Sequence, residues 1–321
     1  MDPIAAEGEA LLSRSIEVVR AADSAPDTIR RLAKDADGII IRSKLPDDIF
    51  EAAPRVKAVA IHGTGIDLVP LASATQHGVM VSNLPGVNAQ SVAEYCVMAM
   101  LMLARNIVAI TTAMRTQPWD EARKGAAPAA ELEGTTVGII GVGEIGGRVA
   151  KICRRGFGMR VLGTQRRLDR LPPDAEGVSF EKLARESDFI VIACPLTPET
   201  HHLINEKTLR LMKPGVWLIN VGRGAVVDER SLVLSLKEKR IAGAMLDVYE
   251  RYRIGPGHEL FKLGNVILTP HLAGGTIASR ARASVAAAGE MLRMLAGERP
   301  INLVNPQALN ARGKDLDMSR S

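Results

Sequence analysis

The hydrophobic and polar positions of the chain fall into two successive series of short apolar runs separated by helical patterns. In the first series, strands are predicted by "DGIIIRS", "VKAVAIHGTG" and "GVMVSN". In the second series, strands are predicted by "TTVGIIG", "MRVLGT", "DFIVIAC", "GVWLINV", "GAMLDV" and "NVILTPH". Strands that alternate with helices are typical of parallel sheets. The pattern therefore predicts an α/β fold with two series of parallel strands.

Two long helices are predicted beside these strands. The first is "SVAEYCVMAMLMLARNIVAITTAMR", with Asn88 or Ser91 as its N-cap, and the second is the alanine-rich "TIASRARASVAAAGEMLRMLAG". A domain of this type normally opens with a strand, but this sequence opens with the helix-like "AAEGEALLSR". Either the first strand is missing from the sequence or the domain is built without it. In both cases we expect the first sheet to lack that strand.

Composition narrows the class of protein. The 321 residues are 46% hydrophobic and 24% charged, which suits one large or two medium domains. No apolar run approaches the roughly 20 residues of a membrane span, and the N-terminus lacks the regions of a secretory signal. Cys96, Cys153 and Cys194 are unevenly spaced and predict neither a disulfide framework nor a zinc site. We therefore expect a cytoplasmic protein without a membrane partner.

The net charge of +5 raises the question of nucleic-acid binding. Lysine and arginine are dispersed along the chain, and aromatic residues make up only 3% of it, too few for base-stacking platforms. These features argue against a nucleic-acid partner. A small anionic substrate or cofactor accounts for the positive balance equally well.

A glycine-rich loop lies at mid-chain. In "TVGIIGVGEIGGRVA", Gly141, Gly143 and Gly146 have the spacing G-x-G-x-x-G between a predicted strand and a predicted helix, with Glu144 and Ile145 inside the motif. Such glycines permit a tight turn, close approach of a pyrophosphate, and close strand–helix packing. A glycine turn can also serve structure alone. Because a strand, a helix and a second strand surround it, we interpret the loop as a dinucleotide site.

The second strand of this unit ends in "GTQRR". About 20 residues beyond the last glycine, an acidic residue would bind the ribose 2′-hydroxyl of NAD. This chain has Gln165, Arg166 and Arg167 there. An amide beside two guanidinium groups would attract a 2′-phosphate, although a solvated basic loop is the alternative. The expected cofactor is NADP, with NAD possible.

Five motifs in order resemble the D-isomer-specific 2-hydroxyacid dehydrogenases, a family that includes phosphoglycerate dehydrogenases and glyoxylate/hydroxypyruvate reductases. They are "VAEYCVMAMLMLAR", "ELEGTTVGIIGVGEIGGRVA", "LMKPGVWLINVGRGAVVDE", "AGAMLDVYE" and "NVILTPHLAGGT", and the resemblance runs from about Asp37 to Pro306. It implies two Rossmann-like or flavodoxin-like parallel-sheet domains with the active site in the cleft between them. Residues 1–100 with 286–321 would form the substrate domain, and residues 101–285 the dinucleotide-binding Rossmann domain. The resemblance also implies a homodimer.

The resemblance assigns catalytic roles that suit the chemistry of the residues. Arg223, after the strand "VWLINV", matches the arginine that binds the substrate carboxylate, and guanidinium groups bind carboxylates bidentately. His271, in "LTPHLAGG", matches the acid/base histidine, and imidazole titrates in the useful range. Asp247 matches an aspartate near the nicotinamide. Further matches that line the cofactor are Cys194, Pro195, Thr200, Val221 and Gly274.

In the first domain, the resemblance gives the substrate carboxylate the backbone N–H groups of Thr64 and Gly65. Arg42 and Lys44, in "IIIRSKL", match a basic edge that would hold a distal anionic group. That basic edge is also compatible with a solvated surface.

One position departs from the family pattern. Five residues after Asp247 the family has a glutamate that partners the catalytic histidine, and this chain has Tyr252. Tyrosine can orient an imidazole but cannot supply negative charge. Glu250 is the nearest acidic substitute in sequence. Two functions therefore remain open: an NADPH-dependent reductase of small 2-oxo acids, or an NADP-binding sensor or corepressor-like protein with little turnover.

Overall fold

The computed structural model describes residues 4–125, 129–251 and 253–310. The helices are α1 Ala6–Leu12, α2 Pro26–Ala33, α3 Ile49–Ala52, α4 Leu71–Gln76, α5 Ala89–Ala104, α6 Ile107–Thr116, α7 Trp119–Lys124, α8 Glu144–Phe157, α9 Phe180–Glu186, α10 Glu206–Leu209, α11 Glu229–Lys237 and α12 Ile277–Leu295. The strands are β1 Gly38–Ile41, β2 Ala58–Ile61, β3 Met80–Ser82, β4 Thr136–Ile140, β5 Arg160–Thr164, β6 Glu176–Gly177, β7 Phe189–Ile192, β8 Trp217–Asn220, β9 Gly243–Leu246 and β10 Val266–Leu268. Single 3₁₀ turns cover Leu168–Arg170, Gly224–Val226 and Glu259–Lys262.

The chain divides into two compact units. The first unit extends to Asn88 and resumes at Gly275, and the second unit is Ala89–Gly274. The expected boundaries at 100/101 and 285/286 would cut through α5 and α12. The observed division keeps both helices whole, because α5 packs on α8 in the second unit and α12 packs on α1 in the first.

The second unit contains a seven-stranded parallel sheet in the order β10-β9-β8-β7-β4-β5-β6. The chain moves outward in one direction from β4 to β6 and then resumes on the other side of β4 with β7. Ligands of open α/β sheets bind beyond the carboxyl ends of the strands at such a switch point. The loops that follow β4 and β7 are therefore the expected place for a ligand.

The strands of this sheet are buried on both faces. Along β4, Val137 and Ile139 belong to a core cluster that includes α5 and α8, while Ile140 belongs to the cluster on the opposite face. Successive side chains of a strand point to opposite faces, and a parallel sheet covered on both faces has continuous apolar strands. This explains why the apolar runs predicted these strands so directly. The two-residue strand β6 was not predicted.

The first long helix was predicted as one element, and the structure has two. Asn106 adopts a left-handed conformation with φ 50° between α5 and α6. Asparagine tolerates this conformation better than most residues, and it ends the regular hydrogen-bonding of α5. Ten residues of α5 are buried, whereas α6 has no buried residue.

The same two helices bear on the question of membrane spans. Among the described residues, no single helix is long and apolar enough to cross a membrane. Within the described part of the chain, α5 and α6 pass that test when taken together, and they are bent by 56° at their junction.

The first unit contains the three-stranded parallel sheet β1-β2-β3. Along the central strand β2, Val59 and Ile61 point into one core cluster, and Ala58 and Ala60 point into the other. The small alanines face the alanine-rich side of α12. At Gly8, an added Cβ would lie 2.5 Å from the Ser284 carbonyl oxygen, so glycine permits the close packing of α1 on α12.

The β3 edge of this small sheet pairs with the chain near Leu303. Beyond β3, the chain at Leu303 forms an antiparallel bridge with Ser82, and the Val304 N–H donates to the Val81 carbonyl. The buried Asn305 side chain accepts from the Val81 N–H at 2.9 Å.

The first sheet was expected to lack an initial strand. The described residues 4–37 contain α1 and α2 but no strand, as expected for residues 4–10. Met1–Pro3, the remainder of that expectation, lie outside the described residues.

Candidate functional site

The glycine loop lies between β4 and α8, at the switch point of the seven-stranded sheet. Gly141 has φ 90°, and an added Cβ would lie 2.7 Å from the backbone of Cys194. At Gly146 an added Cβ would lie 2.2 Å from the Gly141 carbonyl oxygen. Gly143 has nothing within 4 Å of its Cβ position, so its face is open. Two glycines thus close the turn, and the third leaves room for a phosphate at the start of α8.

The residues inside the motif take separate positions. Glu144 is exposed as the first residue of α8, and Ile145 is partly buried against the core below. The backbone N–H groups at a helix start have no partner within the helix and favour anions. The loop therefore fits the pyrophosphate of a dinucleotide.

The three residues predicted to contact a 2′-phosphate follow β5 at the surface, and their side chains differ in the partners that they already have. The Gln165 amide donates to the Arg167 carbonyl at 2.8 Å. The Arg167 guanidinium donates to both carboxylate oxygens of Asp169, at 3.0 and 2.7 Å, and this contact lowers the pKa of Asp169. Arg166 is exposed and forms no ion pair with another residue that the structure describes. Arg166 is therefore the cation best placed to meet a phosphate.

The loop after β7 forms the other wall of the switch point. Cys194 is buried, and burial raises the pKa of its thiol to about 11, which makes it a wall residue with little thiolate character. The Thr200 hydroxyl donates to the Pro195 carbonyl at 2.7 Å and accepts from the Thr197 N–H at 2.7 Å. Thr200 thus fixes the loop shape and leaves Pro195 exposed.

The loop after β8 places Arg223 at the same sheet edge. Asn220, 1% exposed, holds the loop: its oxygen accepts from the Gly222 N–H, and its amide donates to the Arg223 carbonyl, both at 3.1 Å. The Arg223 guanidinium donates to the Gly222 carbonyl at 2.9 Å. Val221, predicted to line the cofactor, is buried in this loop.

Gly224 interlocks this loop with the next one. An added Cβ at Gly224 would lie 1.8 Å from the backbone of Tyr249, which follows β9. Only glycine fits such an approach of two backbones. The position of Arg223 is therefore coupled to the loop after β9.

The loops after β9 and β10 meet at Asp247, which is 1% exposed. The Asp247 carboxylate accepts from the Thr269 hydroxyl at 2.6 Å and from the Leu272 and Ala273 N–H groups at 2.8 Å each. His271 lies inside this turn, is exposed, and has φ 54°. Gly274 follows the turn and is half-buried.

Topology brings Arg223 and His271 to one edge. They follow β8 and β10, which flank β9, so the strand axes that carry them are about 10 Å apart. That spacing suits two side chains converging on one small substrate. The arrangement can hold a carboxylate at Arg223 and exchange a proton at His271.

The departure at Tyr252 lies outside the described residues. The acidic substitute considered from sequence, Glu250, is engaged elsewhere: one carboxylate oxygen is 3.0 Å from the His202 Nε2. The other oxygen accepts from the Glu229 N–H at 3.4 Å. Glu250 therefore fastens the loop to the start of α11.

The predicted substrate residues of the first unit follow the strands of the smaller sheet. Arg42 follows β1, and Lys44 forms an ion pair with Asp47 at 3.5 Å in which both side chains are exposed. The Thr64 hydroxyl donates to the Leu84 carbonyl at 3.2 Å, which fixes the loop after β2, and Gly65 is half-buried next to it.

His62 was not singled out from the sequence. Its ring is half-buried, with Nε2 2.8 Å from the Ser284 hydroxyl. Burial, and then the charge of Arg42, lowers the pKa of His62 to about 4. The only sequence signal was its place two residues before Thr64, at the end of a predicted strand.

Comparisons with known proteins bear on this geometry. The family model described as "D-isomer specific 2-hydroxyacid dehydrogenase, NAD binding domain" matches residues 97–273. A glyoxylate reductase of Thermofilum pendens is 39% identical over 284 residues, covering 87% of this chain and 84% of the relative. The chain belongs to the D-isomer-specific 2-hydroxyacid dehydrogenase family. The resemblance inferred from sequence is thereby confirmed.

Solved structures agree with this membership. An NADPH-dependent glyoxylate/hydroxypyruvate reductase of Sinorhizobium meliloti in complex with citrate superposes with a TM-score of 0.83 at 28% identity, covering 95% of this chain and 96% of that one. A protein of Thermus thermophilus superposes with a TM-score of 0.81 at 32% identity, covering 94% and 97%. As a member of the 2-hydroxyacid dehydrogenase family, the chain is an NAD(P)-dependent oxidoreductase of the α/β class with parallel sheets.

Proposed function

We propose that the chain is an NADPH-preferring reductase of small 2-oxo acids of the glyoxylate and hydroxypyruvate type. The observation that carries the proposal is the convergence of three elements on the carboxyl edge of one sheet: the open glycine loop after β4, Arg223 after β8, and His271 after β10. The names of the relatives from Thermofilum pendens and Sinorhizobium meliloti support the substrate class.

Each residue has a distinct part in this chemistry. The bound cofactor would supply a hydride to the carbonyl carbon of the 2-oxo acid. Arg223 holds the substrate carboxylate and stabilises the charge that develops on the neighbouring oxygen. His271 gives that oxygen its proton, so the product is the 2-hydroxy acid. Tyr252 at the third position, Arg42, Thr64 and Gly65 remain predicted contacts of this reaction.

The preference for NADPH rests on the end of β5. An acidic residue there would repel a 2′-phosphate, and this chain offers the Gln165 amide and the exposed Arg166 instead. Arg167 is held by Asp169, so we assign the main phosphate contact to Arg166. The relative from Sinorhizobium meliloti, whose structure was also solved with NADP and malonate, supports this choice. NAD remains a possible second cofactor.

A steady-state assay tests the proposal. We expect oxidation of NADPH in the presence of glyoxylate or hydroxypyruvate, with Arg223→Lys far less active because lysine cannot bind a carboxylate bidentately. Arg55→Lys is the matched control, because it makes the same change at an exposed arginine that pairs with Asp37 before β2. Binding of NADPH without turnover on any 2-oxo acid would contradict the proposal and favour the sensor function.

We also propose that two copies of the chain associate through α5, α6 and α7. These helices carry six apolar side chains that are each about 40% to 60% exposed: Met98, Leu101, Ile107, Val108, Met114 and Trp119. Exposed apolar side chains on successive helices favour a protein interface, and no residue of α6 is buried by the part of the chain that the structure describes. A second copy would supply a matching apolar surface by twofold symmetry. A monomer in light scattering at micromolar concentration would contradict this.

We further infer a reducing compartment, the cytoplasm. The three cysteines are free and buried, and burial raises the thiol pKa of Cys153 and Cys194. Disulfides are rare in reducing compartments. Fractionation of the native host with an antibody against the chain would test this location.

A further inference from the structure

The turn that carries His271 is built around a buried carboxylate. Asp247 accepts three hydrogen bonds, from the Thr269 hydroxyl and from the Leu272 and Ala273 N–H groups. Hydrogen bonds to an ionised group are the stronger ones, and a carboxylate that is 1% exposed depends on them. Asp247 is thus occupied by the residues before and after His271.

The backbone of His271 needs such support. Its φ of 54° lies in the left-handed region, which is costly for a residue other than glycine. Its N–H donates to the Asp247 carbonyl at 2.9 Å. The backbone carbonyl and the side chain of Asp247 therefore fix the position of the His271 backbone together, and with it the starting point of the imidazole side chain.

A tyrosine of α5 completes the arrangement. The Tyr95 hydroxyl is 2.5 Å from the Thr269 hydroxyl oxygen. Because Thr269 donates its single proton to Asp247, Tyr95 must be the donor in this contact. Burial raises the pKa of Tyr95, so its hydroxyl keeps its proton throughout the neutral range. Tyr95 is 5% exposed, so its hydroxyl depends on this contact within the protein.

We propose that Tyr95 is a positioning residue for His271, acting through the hydrogen-bond chain Tyr95 to Thr269 to Asp247. The proposal rests on the proposed function, in which His271 donates the proton. It gives Asp247 a structural part in the turn, in addition to the nicotinamide contact that the family resemblance implies. Tyr95 and Thr269 are 174 positions apart in sequence, so the core helix α5 directly supports a loop of the catalytic edge.

The first test removes one oxygen at a time. Tyr95→Phe should lower kcat about 5-fold at every pH from 6 to 9, since one net hydrogen bond is worth about that factor. The Kd for NADPH should change less than 2-fold. Thr269→Val should lower kcat further, and Thr269→Ser, which keeps the hydroxyl, should restore most of it.

A double-mutant cycle separates positioning from general loss of structure. In the Thr269→Val background, Tyr95→Phe should have no additional effect on kcat, because the chain is already broken. Ser187→Ala is the control: Ser187 is fully buried and its hydroxyl donates to the Leu183 carbonyl at 2.7 Å. That variant should lower Tm while leaving kcat unchanged.

Hydrogen exchange gives a readout that needs no turnover. The Leu272 and Ala273 amides should exchange about 5-fold faster in Tyr95→Phe than in the unmodified chain. If the unmodified chain has no reductase activity but this exchange increases, the proposed function fails while the positioning role stands. Unchanged exchange and kcat in Tyr95→Phe, or fully additive effects of the two substitutions, would overturn the role of Tyr95.

Discussion

At the carboxyl edge of the seven-stranded sheet, the loops after β8, β9 and β10 are joined by close backbone contacts. In the three-stranded sheet, the loop after β2 is held by hydrogen bonds to Leu84 and leaves open space at Gly63. Gly224 leaves 1.8 Å between its Cβ position and the backbone of Tyr249, and Gly63, after β2, has nothing within 4 Å. Asp247 is 1% exposed and its carboxylate accepts three hydrogen bonds, while Lys44 and Asp47 form an exposed ion pair.

This difference suggests separate roles for the two regions in catalysis and in substrate choice. Catalytic groups must be held within a fraction of an ångström of productive geometry, and interlocked loops provide this. Residues that only choose among substrates tolerate looser support. We therefore place the reaction chemistry on the larger sheet and expect the smaller sheet to tune substrate choice.

The largest expected effect is the contrast between two arginines. Arg223→Gln should lower kcat/KM for glyoxylate about 100- to 1,000-fold, since it removes a charged group that stabilises the transition state. Arg42→Gln should change it less than about 10-fold, chiefly through KM. Steady-state kinetics of both variants measures this. Equal losses at the two positions would break the comparison.

The contrast between two glycines comes next. Gly224→Ala should reduce the free energy of unfolding by more than about 3 kcal/mol, because two backbones would have to separate. Gly63→Ala should cost less than about 1 kcal/mol, since its Cβ enters open space. Urea unfolding of the two variants provides the measurement. A tolerated Gly224→Ala would show that the loops are not interlocked.

A smaller effect is expected at the end of β5. Arg166→Ala should weaken NADPH binding about 10-fold or more, with little change for NADH, because a charge-assisted contact to phosphate is lost. Arg167→Ala should have a weaker effect, since that guanidinium is held by Asp169. Calorimetric titration of both nucleotides tests this. Equal affinity of the unmodified chain for NADH and NADPH would refute the assignment of Arg166.

Much of this fold was predictable from the sequence, and the reasons are physical. Buried parallel strands have continuous apolar sequences, and the glycine loop has a fixed spacing, so β4 and its turn were placed directly. The break at Asn106 was missed because apolar residues continue on both sides of it. Domain boundaries were displaced because the packing partner of a helix, not its own pattern, decides its unit.

The candidate site was only partly predictable. Arg223 and His271 follow predicted strands, which marks them as edge residues. The pairing of Arg167 with Asp169 and the contact of Tyr95 with Thr269 depend on side-chain geometry, which no periodicity encodes. Likewise, the sequence gives no sign that Ser284, on α12, lies against His62.

The smallest expected effect is the acid sensitivity that His62, after β2, gives to the folded protein. The pKa of His62 is lowered to about 4 in the folded chain. Between pH 6.5 and 4, the His62 imidazole is therefore protonated in the unfolded chain but not in the folded chain. Stability should therefore fall as pH decreases through that window. His62→Gln should lessen the fall by roughly 1 kcal/mol, a value discounted for partial exposure.

Melting temperatures at pH 7 and pH 4.5 would measure this effect, with His77→Gln, directly after α4, as the control for loss of an exposed histidine. Both variants share the acid titration of the carboxylates, so only their difference reports on His62. Identical acid sensitivity of the two variants would show that His62 titrates normally in the folded protein.

The central claim is that hydride and proton reach a 2-oxo acid at the carboxyl edge of the seven-stranded sheet. The most direct measurement is the single-turnover rate of NADPH oxidation when the preformed NADPH complex is mixed with saturating glyoxylate. We expect a rate that falls at least 100-fold in His271→Ala and by less than about 2-fold in His77→Ala, at an exposed histidine that follows α4. An unchanged rate in His271→Ala, with NADPH bound normally, would contradict it.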